Sequence, residues 1–172
     1  MSLSLAQRVY DAAHLTGTFL LRSGATSSEY FDKYGFEADT VLLKDIAEKL
    51  ATKITGDYHA LAGLEMGGIP IATMLSQITG TPTLFIRKTE KEYGTCRYAE
   101  RGEVKDRRLL IVEDVVTSGG AILDGVHTLR ADGAIINDVV CVIDRQSGGR
   151  ENLEKEDLSL TSLLTIDQLK QA

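Results

Sequence analysis

The chain contains four short, mainly apolar runs, and these constrain its fold more than any other feature. They are Ala60 to Leu64, Thr83 to Ile86, Leu109 to Val112 and Val139 to Ile143. A half-exposed strand alternates apolar and polar residues, so continuous runs predict strands buried on both faces, as in a parallel sheet. Helix-like segments separate the runs, which predicts crossover units. We therefore predict an α/β fold with a doubly wound, mostly parallel sheet flanked by helices, and ligands at the carboxyl ends of its strands.

The residues up to about position 36 have a different pattern and predict a small α+β extension. Ser4 and Gln7 form a capping box that begins a helix predicted to run from Leu5 to about Thr16. A strand-like stretch, Thr18 to Arg22, and the aromatic-rich stretch Tyr30 to Tyr34 follow it. The chain of 172 residues has neither a linker nor an internal repeat, so we predict one domain, residues 1–172.

Composition excludes several classes of protein. The chain has 25 Asp and Glu against 19 Lys and Arg, a net charge of −6, so its overall charge does not favour binding to a nucleic-acid backbone. Its two cysteines lie far apart and its three histidines lack metal-ligand spacing, which disfavours a disulfide scaffold or a zinc site. No apolar run approaches the roughly 18 residues of a membrane span. We expect a reduced, cytoplasmic protein without a nucleic-acid or membrane partner.

Basic residues nevertheless cluster in one polar stretch of this acidic chain. The cluster consists of Arg87, Lys88, Lys91, Arg97 and Arg101, and it favours a small anionic ligand. The stretch from Lys88 to Asp106 has no periodicity and is longer than ordinary connections, so it is either a functional lid or a disordered segment.

The segment from Leu109 to Leu123 carries the strongest functional signal. An apolar strand is followed by Glu113 and Asp114, then by a small polar turn and the start of a helix. Backbone N–H groups of Thr117 to Gly120 at a helix N-terminus form a cradle for a phosphate dianion. The two carboxylates beside it suit the hydroxyls of a sugar or a Mg²⁺ ion held by that sugar. Neither the Walker A nor the dinucleotide-binding glycine pattern is present.

This segment resembles the phosphoribosyl pyrophosphate (PRPP) signature of type I phosphoribosyltransferases, and the rest of the chain resembles the orotate phosphoribosyltransferase branch. Phe19 to Gly24 with Ser28 to Asp32 is similar to the hood over orotate, and Gly63 to Ala72 to the pyrophosphate-side loop. Ile86 to Gly94 is similar to the mobile catalytic loop, which we place at about residues 88–106, and Val142 to Arg145 to the pyrimidine-side strand. Family members often have His at the position of Tyr93 and Lys at that of Arg22.

The resemblance implies transfer of the phosphoribosyl group from PRPP to orotate, with inversion and no covalent nucleophile. It implies three catalytic residues, Lys91, Glu113 and Asp114. The implied PRPP-binding residues are Glu65, Met66, Gly67, Gly68, Arg87, Lys88, Lys91, Tyr93, Glu113, Asp114, Val115, Val116, Thr117, Ser118, Gly119, Gly120 and Ala121. Those implied for orotate are Arg22, Tyr30, Phe31, Thr117 and Arg145.

The implied cofactor is Mg²⁺, held mainly by PRPP, with Glu113 and Asp114 as additional ligands through water. The implied assembly is a homodimer in which the loop carrying Lys91 acts in the neighbouring subunit.

Two alternative functions remain open from the residues alone. A purine phosphoribosyltransferase would share Glu113 to Ala121 without needing a carboxylate-binding Arg, and a regulator of the same fold would sense PRPP and bind nucleic acid with a broad basic face.

Overall fold

The computed structural model describes residues 3–20, 24–89, 98–100 and 102–172. Within these ranges the helices are α1 (Leu5–Ala13), α2 (Tyr34–Ala38), α3 (Thr40–Ala51), α4 (Gly68–Thr79), α5 (Gly120–Ala131), α6 (Gly149–Glu154) and α7 (Ile166–Lys170). The strands are β1 (His14–Leu20), β2 (Thr26–Phe31), β3 (Ala60–Leu64), β4 (Thr83–Ile86), β5 (Ala99–Glu100), β6 (Arg108–Val116), β7 (Ile135–Asp144) and β8 (Ser159–Thr165).

The predicted sheet is confirmed as the centre of the fold. Its strand order is β5-β4-β3-β6-β7-β8, and every neighbouring pair is parallel except β4 with β5. Every residue of β3 is buried, as expected for a strand covered on both faces. Helix α5 packs on one face, while α1, α3 and α4 pack on the other, so each face has its own hydrophobic core. The strand order reverses between β3 and β6, where open α/β sheets bind their ligands.

The N-terminal region, which we call the hood (the described residues from 3 to 38), covers one end of this sheet. Strands β1 and β2 form an antiparallel hairpin, and α1 and α2 join it to the body. The predicted first helix is too long, because it ends at Ala13 and β1 begins at His14. Ser4 caps α1 through the amide of Gln7, as the capping box predicted. Among the described residues no helix has the length and apolar character needed to cross a membrane.

Candidate active site

Four loops meet at the carboxyl edge of the sheet, around the point where the strand order reverses. They follow β3, β4, β6 and β7, and they contain most of the residues predicted to bind a ligand. Parallel pairing places Gly63 beside both Phe85 and Val112, and Val116 beside Asp144. The sheet therefore brings together segments that are up to 80 residues apart in the sequence.

The turn from Thr117 to Gly120 forms a cradle at the start of α5. Gly119 has φ +79°, a left-handed conformation that glycine adopts without steric cost. The backbone N–H groups of the four cradle residues make no hydrogen bond within the described residues, and no described side chain caps the helix. Thr117 to Ala121 line a cavity of about 250 Å³ with Glu113, which we call the cradle cavity. Free amides at a helix N-terminus fit the predicted phosphate.

Packing from α6 holds the cradle in this shape. A side chain at Gly149 would overlap the carbonyl of Thr117, and Asn152 donates a hydrogen bond to the carbonyl of Ser118 at 3.1 Å. Because the neighbouring helix fixes these carbonyls, the amides stay directed toward the cavity without a ligand.

The two predicted carboxylates point in different directions, because successive side chains of a strand alternate between faces. Glu113 is partly exposed and lines both the cradle cavity and a second cavity described below. Asp114 is 1% exposed. Its Oδ1 accepts a hydrogen bond from the amide of Val115 at 2.5 Å, and its Oδ2 contacts the ammonium of Lys33.

Lys33 and Glu37, from the start of α2 in the hood, complete a charged cluster around Asp114. Burial raises the pKa of Glu37 to about 8, and the hydrogen bond and charge of Asp114 add to this shift. Burial, together with Asp114, also holds the pKa of Glu113 well above its usual value. Burial acts in the same direction on Asp114, but hydrogen bonds from Glu113, Glu37 and Lys33 outweigh it and lower the pKa of Asp114. Asp114 therefore holds its negative charge most firmly, opposite the ammonium of Lys33, whereas Glu37 and Glu113 take up a proton at higher pH than an ordinary carboxyl group does.

The loop after β3 supplies fewer free amides than the sequence predicts. The N–H of Glu65 already donates to the carbonyl of Ile86 at 2.8 Å, and its carboxylate accepts from the amide of Lys88 at 2.6 Å. The amide of Glu65 is therefore already engaged, and Glu65 ties the loop to the end of β4, so its part in binding pyrophosphate stays a prediction. Met66, Gly67 and Gly68 remain as candidates. A side chain at Gly68 would overlap the carbonyl of Val112, so glycine lets this loop lie directly on β6.

Arg87 and Lys88 reach the same region from the end of β4. Together with Glu65, Glu113 and Asp124 they line a cavity of about 220 Å³, which we call the central cavity. The guanidinium of Arg87 lies 3.8 Å from the carboxylate of Glu100 on β5, and its buried Nε has no hydrogen-bond partner among the described residues. The lining of the central cavity therefore combines two basic residues with three acidic ones.

A third cavity, of about 340 Å³, lies between the hood and the end of β7. We call it the hood cavity, and it is lined by Ser27, Glu29, Tyr30, Phe31, Arg145, Ile166 and Lys170. Arg145 forms no ion pair among the described residues, because Asp144 instead binds Arg150 at 3.3 Å. Tyr30 stacks on Phe19 with ring centroids 5.4 Å apart. The predicted orotate residues Tyr30, Phe31 and Arg145 thus share the hood cavity, whereas Thr117 lines the cradle cavity.

Three predicted site residues, Arg22, Lys91 and Tyr93, lie outside the described residues, so their roles stay predictions. The predicted loop extends too far at its C-terminal end. Ala99 and Glu100 pair with β4, and Tyr98, Ala99 and Val104 are buried. Tyr98 packs against α5, where a side chain at Gly125 would lie 3.4 Å from its hydroxyl. Tyr98, Ala99 and Val104 therefore pack into the core, although most residues of the stretch are polar.

Sequence reasoning missed three residues of this region, namely Lys33 and Glu37 beside Asp114 and Lys170 in the hood cavity. Lys33 and Glu37 stand four positions apart, a spacing that puts side chains on the same side of a helix, and this signal could have identified them. Lys170 reaches the hood cavity from α7, and no local pattern marks it.

The carboxylates fit a metal ion that is held mainly by a bound phosphate ester. Among the described residues no group of three or more His, Cys, Asp or Glu side chains is arranged to hold a metal. Glu113 faces two cavities, whereas Lys33 occupies the accessible side of Asp114. Mg²⁺ commonly takes one or two protein carboxylates and completes its shell with water and phosphate oxygens, so Glu113 is the group that fits this role.

Comparison with known proteins points to one family. The model of the phosphoribosyl transferase domain matches residues 37–168. The orotate phosphoribosyltransferase of Nocardioides sp. is 46% identical over 98% of this chain and 94% of its own length, and that of Methanocaldococcus jannaschii is 40% identical over 90% and 88%. The crystal structure of Mycobacterium tuberculosis orotate phosphoribosyltransferase in complex with PRPP superposes with a TM-score of 0.82 at 28% identity, covering 96% of both chains.

Proposed function

The chain belongs to the phosphoribosyl transferase family and, within it, to the orotate phosphoribosyltransferases, and on this premise we propose that it converts PRPP and orotate into orotidine 5'-monophosphate and pyrophosphate, with Mg²⁺, in pyrimidine biosynthesis. The observation that carries this proposal is that Glu113 lines both the cradle cavity and the central cavity, which also contains Arg87 and Lys88. Arg145 follows the neighbouring strand β7 and lines the hood cavity.

Each cavity suits one part of the two substrates. The amides of Thr117 to Gly120, with the hydroxyls of Thr117 and Ser118, hold the 5'-phosphate. Arg87 and Lys88 hold the pyrophosphate in the central cavity. Arg145 binds the carboxylate of orotate in the hood cavity with its planar guanidinium, and Tyr30 and Phe31 flank the pyrimidine ring. Lys170 adds a second positive charge to that cavity.

Catalysis then depends on positioning and electrostatics. The ribose becomes cationic as pyrophosphate departs, and Glu113 at the edge of both cavities stabilises that charge, whereas Arg87 and Lys88 stabilise the leaving group. Glu113 would hold a Mg²⁺ ion brought by PRPP, and that ion would supply further positive charge for the pyrophosphate. No side chain needs to attack the anomeric carbon. Lys91 approaches the leaving oxygen from the loop, and we propose that this loop serves the neighbouring subunit of a cytoplasmic homodimer.

The direct test follows the ultraviolet absorbance of orotate. We expect absorbance to change only when the protein, PRPP and Mg²⁺ are all present, and EDTA to stop the reaction. Full activity after exhaustive chelation would contradict the role of Mg²⁺. Turnover of adenine or hypoxanthine without turnover of orotate would contradict the proposed substrate.

Arg145→Ala tests the orotate site separately. The lost charge-assisted contact is worth about 1.5 to 3 kcal/mol, so we expect KM for orotate to rise roughly tenfold to a hundredfold and KM for PRPP to stay nearly constant. Arg145→Lys should recover part of the loss. Equal increases of both KM values would show that Arg145 has a structural role.

A further inference from the structure

Among the residues that the structure describes, Lys33 forms an ion pair with Asp114, and Lys33 belongs to the hood rather than to the sheet. It precedes α2, and its ammonium forms an ion pair with Oδ2 of Asp114 at the end of β6. The side chain of Asp114 is 2% exposed and that of Lys33 is 34% exposed. The carboxylate of Asp114 is therefore shielded from solvent, whereas part of the Lys33 side chain is exposed to it.

The loop after β3 passes directly over this pair. A Cβ at Gly67 would overlap the carboxylate of Asp114 and would lie 2.9 Å from the Nζ of Lys33. Because residue 67 has no side chain, the ammonium reaches the place where the β3 loop, the end of β6 and the hood meet. The Nζ of Lys33 therefore lies beside the loop whose amides, those of Met66 to Gly68, are candidates for binding pyrophosphate.

The charges around Lys33 are unbalanced without it. Glu37, Glu113 and Asp114 bring three carboxyl groups to one region, and Lys33 interacts with all three. Burial opposes ionisation of Lys33, but its hydrogen bond to Asp114 and the charges of the three acids outweigh burial and raise its pKa. A polyanion such as PRPP that approaches two neighbouring carboxylates is repelled by them unless a fixed cation offsets their charge.

We propose that Lys33 is a positioning residue for the PRPP half of the site, which holds the carboxylate of Asp114 beneath Gly67 and offsets its charge so that PRPP can bind. This inference rests on the proposed function and deepens it, since it links the hood to the PRPP site through one side chain. Because Lys33 lies beside Gly67 of the loop after β3 and does not line the hood cavity, we expect its loss to affect PRPP more than orotate.

The test compares Lys33→Gln with Lys33→Arg and with Lys44→Gln. Gln keeps a hydrogen-bond donor for Asp114 without the charge, and Arg keeps the charge. Lys44 is the matched control, an exposed lysine of α3 that lies 3.7 Å from Glu48. PRPP binding is measured by calorimetry without orotate, and KM for each substrate by steady-state kinetics.

We expect Lys33→Gln to weaken PRPP binding about tenfold or more while KM for orotate changes less than about twofold. Lys33→Arg should return PRPP binding to within about threefold of the wild type, and Lys44→Gln should match the wild type.

The proposal is overturned if Lys33→Gln binds PRPP normally, loses affinity for both substrates equally or fails to fold. It is also overturned if Lys33→Arg binds PRPP no better than Lys33→Gln. If the wild type binds PRPP without turning over orotate, the proposed function fails, and the calorimetry still decides the role of Lys33.

Discussion

The two ends of the segment from Glu113 to Ala121 differ in what they leave open to a ligand. At the cradle end, the amides of Thr117 to Gly120 have no partner among the described residues, and α6 holds them in place. At the acidic end, Asp114 already has its own cation, Lys33, and a buried neighbour, Glu37. The cradle is therefore ready for an anion, whereas the acidic end is balanced internally. A ligand of the Asp114 carboxylate itself would have to compete with the existing ion pair.

The largest expected effect comes from a negative charge in the cradle. A Cβ at Gly120 meets nothing closer than the Oγ of Ser118, at 3.8 Å, so Gly120→Asp should fold normally. Its carboxylate takes the place of the phosphate, and we expect kcat/KM for PRPP to fall on the order of 10³-fold, because each charge-assisted hydrogen bond contributes about 1.5 to 3 kcal/mol.

Gly120→Ala is the matched control for this variant. It adds the same Cβ without the charge and should lose less than about tenfold in kcat/KM for PRPP. Equal losses in the two variants would mean that crowding and not charge decides, and the cradle would no longer be the phosphate site.

Asp114→Asn and Glu113→Gln separate the two acids. Each variant keeps the shape of its side chain. Asp114→Asn removes the charge that fixes Lys33 at the edge of the PRPP site, and we expect kcat to fall by roughly 10² to 10³. That variant also leaves Lys33 without an ionised partner, which should lower the free energy of unfolding by about 1 to 3 kcal/mol. Glu113→Gln should reduce turnover and leave stability nearly unchanged. Urea denaturation and steady-state kinetics measure both effects, and equal stability losses would remove the distinction between the two acids.

Glu37 makes stability depend on pH. Its pKa rises from 4.5 to about 8 on folding, so between these values the folded protein holds a proton that the unfolded chain releases. The free energy of unfolding contributed by this group is therefore greatest at low pH and falls as pH rises toward about 8. Because a tenfold difference in proton affinity between the folded and unfolded states is worth about 1.4 kcal/mol, the decline amounts to a few kcal/mol at most.

Glu37→Gln, which cannot ionise, should reduce this decline by the part that Glu37 contributes and leave the part from Glu113, whereas the exposed Glu48→Gln should retain all of it. Urea denaturation between pH 5 and pH 8 provides the measurement. An unchanged decline in Glu37→Gln would place its origin in another group.

The sequence predicted the parts of this molecule that depend on local pattern. The runs Ala60 to Leu64 and Thr83 to Ile86 are β3 and β4 with the predicted bounds, and the helix after the cradle is α5. The cradle was also predicted, because the small polar residues of its turn and the start of α5 are local features of the sequence. The segments β8 and α7 were not predicted, because their mixed polar and apolar residues have no clear period.

What the sequence could not predict depends on contacts between distant elements. Lys33 and Asp114 are 81 positions apart, and only the fold brings the hood onto the end of β6. The amide of Glu65 looked available because nothing in its own loop shows that Ile86 accepts its hydrogen bond. Burial of Tyr98 likewise depends on α5, which follows it by more than 20 residues.

The most direct test of the difference between the two ends is a calorimetric titration of the protein with inorganic phosphate in the presence of EDTA. We predict that phosphate binds without any metal, that Gly120→Asp abolishes this binding, and that Lys33→Gln leaves it unchanged within about twofold, because phosphate needs only the cradle. Binding that requires Mg²⁺, or that disappears in Lys33→Gln and persists in Gly120→Asp, would contradict the account.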